Sequence, residues 1–128
     1  MERLTLRIAF GLALSIGLLG CTPNNKGSRI YWASLQLPGK SLELIDPSRI
    51  EAYQFLENGY IAASIGKKGS EIAAPLLYWK IENEKLLIAS DLGFENSETF
   101  SVPYFKDSVI TVKRGWFEWD QFKLTITN

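Results

Sequence analysis

The sequence predicts an all-β fold, an antiparallel up-and-down meander of roughly seven to nine short strands that closes as a small barrel. The first observation behind this prediction is spacing, since apolar runs of strand length recur about every ten residues after residue 28. The second is that residues typical of tight turns separate these runs. The third is the content of 4 Trp, 5 Tyr and 7 Phe, which suits half-buried pleated surfaces. A β-sandwich of the same strands is the alternative architecture, because both folds share this spacing.

Individual strands follow from the turn signals and from side-chain alternation. Asn58-Gly59 between two apolar runs predicts a hairpin, because both positions of its tight turn need a positive φ. Pro103 cannot donate to a ladder, so its strand is expected to lie at an edge or to end there. In the last strand, alternation places Phe122, Leu124 and Ile126 inward. The predicted strands are 29–37, 41–45, 50–57, 60–65, 76–82, 86–91, 98–104, 109–113 and 116–127.

Residues 1–20 have the layout of a helical secretory signal. Arg3 and Arg7 give a positively charged start, and the run from 8 to 19 carries no charge. A membrane-spanning helix needs about 20 apolar residues, so this run is too short to cross a bilayer and remain there. We therefore expect the segment to be removed.

The end of this signal resembles the lipobox of bacterial lipoproteins. Leu18-Leu19-Gly20-Cys21 has an aliphatic residue and a small residue before the cysteine. The resemblance implies cleavage between Gly20 and Cys21 and attachment of lipid, palmitate included, to Cys21. Thr22 is not an aspartate, so the resemblance implies the periplasmic face of the outer membrane in a Gram-negative host. A free thiol after an ordinary signal peptide, or an uncleaved anchor, are the alternatives.

These features predict three regions: a lipoprotein signal peptide at 1–20, a lipidated cysteine with a flexible tether at 21–28, and one β-barrel domain at 29–128. The tether is expected to be flexible because it is polar and has no apolar period. The chain has 1 Cys, so no disulfide can form within one chain and the domain depends on its core.

Composition argues against several classes of function. Removing Arg3, Arg7 and Glu2 from the 14 basic and 14 acidic residues leaves one net negative charge, which gives no reason to expect nucleic acid as a partner. Lys67-Lys68 and Lys113-Arg114 are the largest basic clusters, and both are predicted to be turn residues. The chain has 0 His, so the commonest general base and zinc ligand are missing. We expect no enzyme activity, no metal and no cofactor.

The central part of the domain resembles bacterial lipocalin-like domains. An aromatic strand ends in Asn58-Gly59, Tyr78-Trp79-Lys80-Ile81 and Leu86-Leu87-Ile88 follow, and Trp32 stands early in the domain. The resemblance implies a barrel that binds a small apolar molecule among apolar side chains. The alternative is that these aromatic residues fill a core. The candidate ligand-binding residues are Trp32, Tyr53, Phe55, Trp79, Trp116 and Trp119.

The segment 116–120 raises a third possibility, hydrolysis by carboxylates. On a strand, Trp116, Glu118 and Asp120 share one face, and Phe117 and Trp119 share the other. Glycoside hydrolysis needs two carboxyl groups about 5–9.5 Å apart that face each other across a bond. Neighbours on one face point the same way, so core tryptophans with solvated carboxylates are the simpler interpretation.

The sequence thus predicts a membrane-anchored lipoprotein whose non-catalytic, lipocalin-like domain binds a small apolar ligand or an envelope protein. The alternative is a structural or inhibitory interaction lipoprotein with a solid β core. A carboxylate-based hydrolase comes third.

Overall fold

The computed structural model describes residues 27–115 and 118–126, so the predicted signal helix and the lipobox lie outside the described residues. The described part forms an 11-stranded sheet with two short 3-10 helices, at Trp32–Leu35 and Glu57–Gly59. The strands are β1 (Ser28–Arg29), β2 (Lys40–Leu44), β3 (Arg49–Phe55), β4 (Tyr60–Lys67), β5 (Ile72–Ala73), β6 (Leu76–Glu82), β7 (Lys85–Ala89), β8 (Ser97–Phe100), β9 (Tyr104–Lys106), β10 (Val109–Arg114) and β11 (Glu118–Ile126).

Eight of these strands close a barrel. The ring runs β2, β3, β4, β6, β7, β8, β10 and β11, and β11 pairs with β2 to complete it. Strands β9, β1 and β5 lie outside the ring, where β9 pairs with β10, β1 with β9, and β5 with β4. Every pairing is antiparallel, so the predicted all-β meander is confirmed, and the closed ring decides for the barrel over the sandwich.

The strand register directs alternate side chains into the barrel, where they form one core. Phe100 is central to it, because its ring lies 6.4 Å from that of Trp32, 6.2 Å from that of Tyr53 and 5.9 Å from that of Phe122, measured between centroids. Such pairs add stabilisation beyond the area they bury. The inward-facing buried side chains of the ring are Leu42, Leu44, Tyr53, Phe55, Ile61, Ala63, Leu86, Ile88, Phe100, Ile110, Val112 and Phe122.

The predicted strand at 29–37 is wrong. After the two residues of β1, the chain forms the 3-10 helix Trp32–Leu35, which ends at Gln36 with a φ of 50°. Side chains three apart eclipse each other in a 3-10 helix, so Trp32 and Leu35 both point into the core, whereas a strand would put them on opposite faces. The Trp32 indole Nε1 donates to the Ser101 carbonyl at 2.8 Å. We call this end of the barrel the plugged end, defined by Trp32–Leu35.

The predicted strand at 98–104 is also corrected, because it is broken after Phe100 and resumes at Tyr104 as β9. Pro103 is buried in the gap, and its carbonyl accepts a hydrogen bond from the Ile30 amide at 3.1 Å. The strand thus ends three residues before Pro103 and not at it. The break frees the Ser101 carbonyl for the Trp32 indole.

Local signals elsewhere are confirmed. Asn58 and Gly59 have φ values of 68° and 82°, as the predicted hairpin between β3 and β4 requires. On β11, Phe122 is fully buried and Leu124 packs against the core, as predicted. Ile126 shares their face but is 73% exposed, because it lies where the strand runs past the core.

Candidate functional site

Charged side chains replace the apolar ones at the end of the barrel opposite the plugged end. The two ends of the barrel correspond to the two ends of β3. The Gly39 amide, close to the plugged end, donates to the carbonyl of Phe55, the last residue of β3. Glu51 lies near the start of the same strand. Alternation places Glu51, Glu98 and Arg114 inward on β3, β8 and β10. We call this open cavity of about 240 Å³ the charged mouth. Its lining residues are Arg49, Glu51, Tyr53, Ile65, Glu98, Arg114 and Glu118.

Arg114 organises the charged mouth. Its side chain is 5% exposed, and its guanidinium donates to the carboxylates of Glu51 and Asp120, reaching the Asp120 Oδ2 from Nε at 2.8 Å. The guanidinium carbon lies 5.3 Å from the ring centroids of both Phe100 and Phe122. Burial alone would lower the pKa of Arg114, but the hydrogen bonds to the two carboxylates raise it above its ordinary value. The cation is therefore fixed in both charge and position.

Further bonds hold the partners of Arg114. The Tyr53 hydroxyl donates to Glu51 Oε2 at 2.6 Å, and burial, followed by this bond, raises the pKa of Tyr53. Arg49 reaches Asp120 from the opposite side, with Nη2 3.4 Å from Oδ1. Asp46 accepts the backbone amides of Ser48 and Arg49 at 2.8 and 2.9 Å, which lower the pKa of Asp46 to about 2. This Asx-type turn aims Arg49 at the charged mouth.

The mouth carries more negative than positive charge. Glu98 is 3.4 Å from Arg114, yet burial raises the pKa of Glu98, because desolvation and three neighbouring carboxylates outweigh the attraction to Arg114. Glu118 lines the rim and, among the described residues, forms no ion pair with Arg114. The acidic groups are Glu51, Glu98, Glu118 and Asp120, and the basic groups are Arg49 and Arg114.

Apolar side chains lie beside these charges. Ile65 lines the mouth and is 38% exposed, and Ile72 of the neighbouring β5 is 45% exposed. The register of β4 and β5 places Ile72 opposite Gly66, so Ile72 lies on the outer face of the sheet and Ile65 on the inner face. The mouth therefore presents apolar surface next to excess negative charge.

The plugged end has a second concave surface, the plugged-end groove. It consists of an open, largely apolar cavity of about 540 Å³ and a smaller one of about 240 Å³ that share Tyr31 and Glu84. Tyr31 is 59% exposed and Ile81 is 36% exposed, whereas Trp32 forms the buried floor. The lining residues are Arg29, Ile30, Tyr31, Trp32, Ala33, Ser34, Ile81, Glu84 and Val102.

The candidate ligand-binding residues are not gathered in one site. Trp32, Tyr53 and Phe55 are buried in the core, and Trp79 packs edge-on against Phe55 with centroids 5.3 Å apart. The Trp79 Nε1 is buried and has no hydrogen-bond partner among the described residues. Trp119 lies outside the barrel, with its ring 6.1 Å from that of Tyr104. Trp116 lies outside the described residues, and the role of all six in binding stays a prediction.

The centre of the charged mouth was not predicted from the sequence. Arg114 was predicted as a turn residue, but it is the last inward residue of β10, and extending the alternation of Ile110 and Val112 by one step would have found it. Glu118 and Asp120 share a face as predicted. Asp120 is not solvated, however, because it is 12% exposed and paired with Arg114.

In residues 27–115 and 118–126, no three His, Cys, Asp or Glu side chains are grouped so that they could hold a metal ion. Within the same ranges, no helix has the length and apolar character needed to cross a membrane.

Fold and site together define a small, closed, antiparallel β-barrel with a plugged end, a packed interior and a charged mouth. Comparisons with protein-family models, with curated proteins and with solved structures found no match.

Glu98 provides a test of the charge balance in the mouth. Because its pKa is raised above the ordinary 4.5, the folded state holds this proton to higher pH than the unfolded state, so ionisation lowers stability as pH rises through that window. Glu98→Gln is expected to flatten the loss of unfolding free energy between pH 4.5 and 7. At pH 7 the variant should match or exceed the wild type by roughly 0.5 kcal/mol or less.

Urea denaturation across this pH range measures the effect. Glu82→Gln, which removes an exposed carboxylate paired with Lys80, is the matched control and should follow the wild type. A loss of more than about 1 kcal/mol in Glu98→Gln at pH 7 would show that attraction to Arg114 dominates instead.

Proposed function

We propose that the protein is a lipoprotein, held to a membrane of the cell envelope by lipid on Cys21, whose barrel is a non-catalytic module that binds an envelope protein at the charged mouth. In a Gram-negative host this membrane is the outer membrane, and the protein lies on its periplasmic face. The lipobox resemblance at Leu18-Leu19-Gly20-Cys21 supports the anchor. The observation that carries the choice of a protein partner is the packed interior.

The packed interior disfavours a small apolar ligand inside the barrel. Trp32, Phe55, Phe100 and Phe122 are all 0% exposed and occupy the space that a carrier would leave for its cargo. Ligand sites of this kind enclose about 300–1,000 Å³ and cover most of the ligand. The larger cavity among the described residues, the plugged-end groove, is open to solvent and not enclosed. An outer surface is therefore the better candidate for binding.

The charged mouth has the chemistry of a protein interface. Arg114 is fixed by its carboxylate partners, so little side-chain entropy remains to be lost on binding. The excess carboxylates, Glu98 and Glu118, favour a partner with basic side chains through electrostatic complementarity. Ile65 supplies apolar area in the mouth that such a partner can bury.

The proposal includes no catalysis. The chain has 0 His, and Glu51 and Asp120 are both engaged as hydrogen-bond acceptors of Arg114. A pair of carboxylates that share one guanidinium does not provide the separate acid and base that hydrolysis needs.

The anchor is tested with Cys21→Ala in the full-length chain expressed in a bacterial host. We expect the wild type to sediment with membranes and to show the mass of residues 21–128 plus diacylglycerol and acyl groups. The variant should lack that added mass and leave the membrane fraction, because the acyl chains supply the anchoring. A wild-type chain with an unmodified Cys21 would contradict the anchor.

The partner site is tested by photocrosslinking in cells. Replacing Ile65 with p-benzoylphenylalanine places the probe in the charged mouth, and replacing Ala62, exposed on the outer face of the same strand, is the matched control. We expect a discrete crosslinked protein from position 65 only, at least about tenfold weaker when Glu118→Lys reverses the charge of the rim. The same product from both positions, or none from position 65, would contradict this site.

A further inference from the structure

The plugged-end groove is a concave surface that a partner bound at the charged mouth leaves unused. It presents exposed Tyr31 and Ile81 over the buried ring of Trp32, with Arg29 at one side. Exposed apolar surface in a concave position is typical of a contact with a partner or a membrane. We propose that the plugged-end groove rests on the phospholipid bilayer to which Cys21 is anchored, a proposal that depends on the anchoring proposed above.

The length of the tether carries this proposal. Five residues separate Cys21 from Gly27, the first described residue, so Gly27 lies at most about 20 Å from the lipid-bearing cysteine even when the chain is fully extended. Gly27 lies against Phe105 and Lys106, and β1 then leads in four residues to Tyr31. The groove is therefore the concave surface that the chain reaches first after leaving the membrane.

The chemistry of the groove suits the membrane interface. Tyrosine combines an apolar ring with a polar hydroxyl, and arginine combines an apolar stem with a charge that pairs with lipid phosphate. Tyr31 and Arg29 are two residues apart and line the same cavity. Ile81 and the floor of Trp32 add apolar surface, which gains about 25 cal/mol for each Å² removed from water.

The opposite end is unsuited to that position. The charged mouth has four carboxylates against two guanidinium groups, and an anionic bilayer surface repels such an excess. A barrel strand of seven residues, such as β3, extends about 17 Å along the axis when it is tilted by 35–45°. With the groove on the bilayer, the mouth faces the aqueous compartment, where a protein partner can reach it.

The test uses the acylated full-length protein in vesicles of phosphatidylethanolamine and phosphatidylglycerol. Lipidation consumes the thiol of Cys21, the chain's 1 Cys, so an introduced cysteine is labelled alone with an environment-sensitive fluorophore. Ala33→Cys places the label in the groove, and Ser70→Cys places it on an exposed turn at the mouth end. We expect headgroup-nitroxide lipids to quench the label at 33 at least about twofold more than the label at 70.

A second variant separates contact from mere proximity. Tyr31→Ser with Ile81→Ser in the Ala33→Cys background removes the exposed apolar side chains and is expected to lower quenching at 33 toward that at 70. Equal quenching at 33 and 70, or stronger quenching at 70, would overturn the proposed orientation. The mass of the protein is measured first, and a mass that shows Cys21 unmodified would contradict the anchor. A failure of the anchor is therefore distinguished from a failure of the orientation before quenching is measured.

Discussion

Arg114 places a positive charge inside the barrel, beside the pairing of β8 with β10, which is the shortest strand pairing in the ring. Strands β8 and β10 are joined in register at one position, Phe100 opposite Arg114. The guanidinium lies between the rings of Phe100 and Phe122 and reaches Glu51 on β3 and Asp120 on β11. One side chain thus connects four strands of the ring. Removing the cation from such a buried group leaves carboxylate charge that is no longer neutralised, which costs about 3 kcal/mol or more.

This arrangement gives the two ends of the barrel different roles. At the plugged end, Trp32 and Leu35 complete an apolar core, and the Trp32 indole donates to the Ser101 carbonyl. At the mouth, the core ends on charged side chains that satisfy each other and leave Glu98 and Glu118 in excess. Buried side chains fill the core between the two ends. The proposed functions therefore lie on the outer surfaces, with lipid at one end and protein at the other.

Local patterns predicted the parts of the fold that depend on neighbours in sequence. Asn58-Gly59 fixed a hairpin because its φ values are decided within the turn, and alternation placed Phe122 and Leu124 correctly. The failure at 29–37 has a non-local cause, since Trp32 leaves the strand geometry to reach a carbonyl 69 residues away. No periodicity in a nine-residue window contains that information.

The charged mouth was hidden for the same reason. Arg114 and Glu51 are 63 residues apart, so nothing near either residue shows that it is paired. Next to Gly115, the arginine has the appearance of a turn residue, because charged residues beside glycine usually mark solvated turns. Alternation predicts that Glu118 and Asp120 share a face, but the pairing of Asp120 with Arg114 follows only from the pairing of β10 with β11.

The central claim, that the pairing of Arg114 with its carboxylates holds this end of the barrel, is tested most directly by comparing two variants in urea denaturation. Arg114→Met keeps the apolar stem but leaves Glu51 with the Tyr53 hydroxyl alone and Asp120 with the longer contact to Arg49, and it should lose about 3 kcal/mol of unfolding free energy. Adding Glu51→Gln and Asp120→Asn to that variant should recover at least half of the lost unfolding free energy. The reason is that the two carboxylate charges that Arg114 no longer neutralises are then removed. A loss under about 1 kcal/mol in Arg114→Met, or a triple variant less stable than the single one, would contradict the claim.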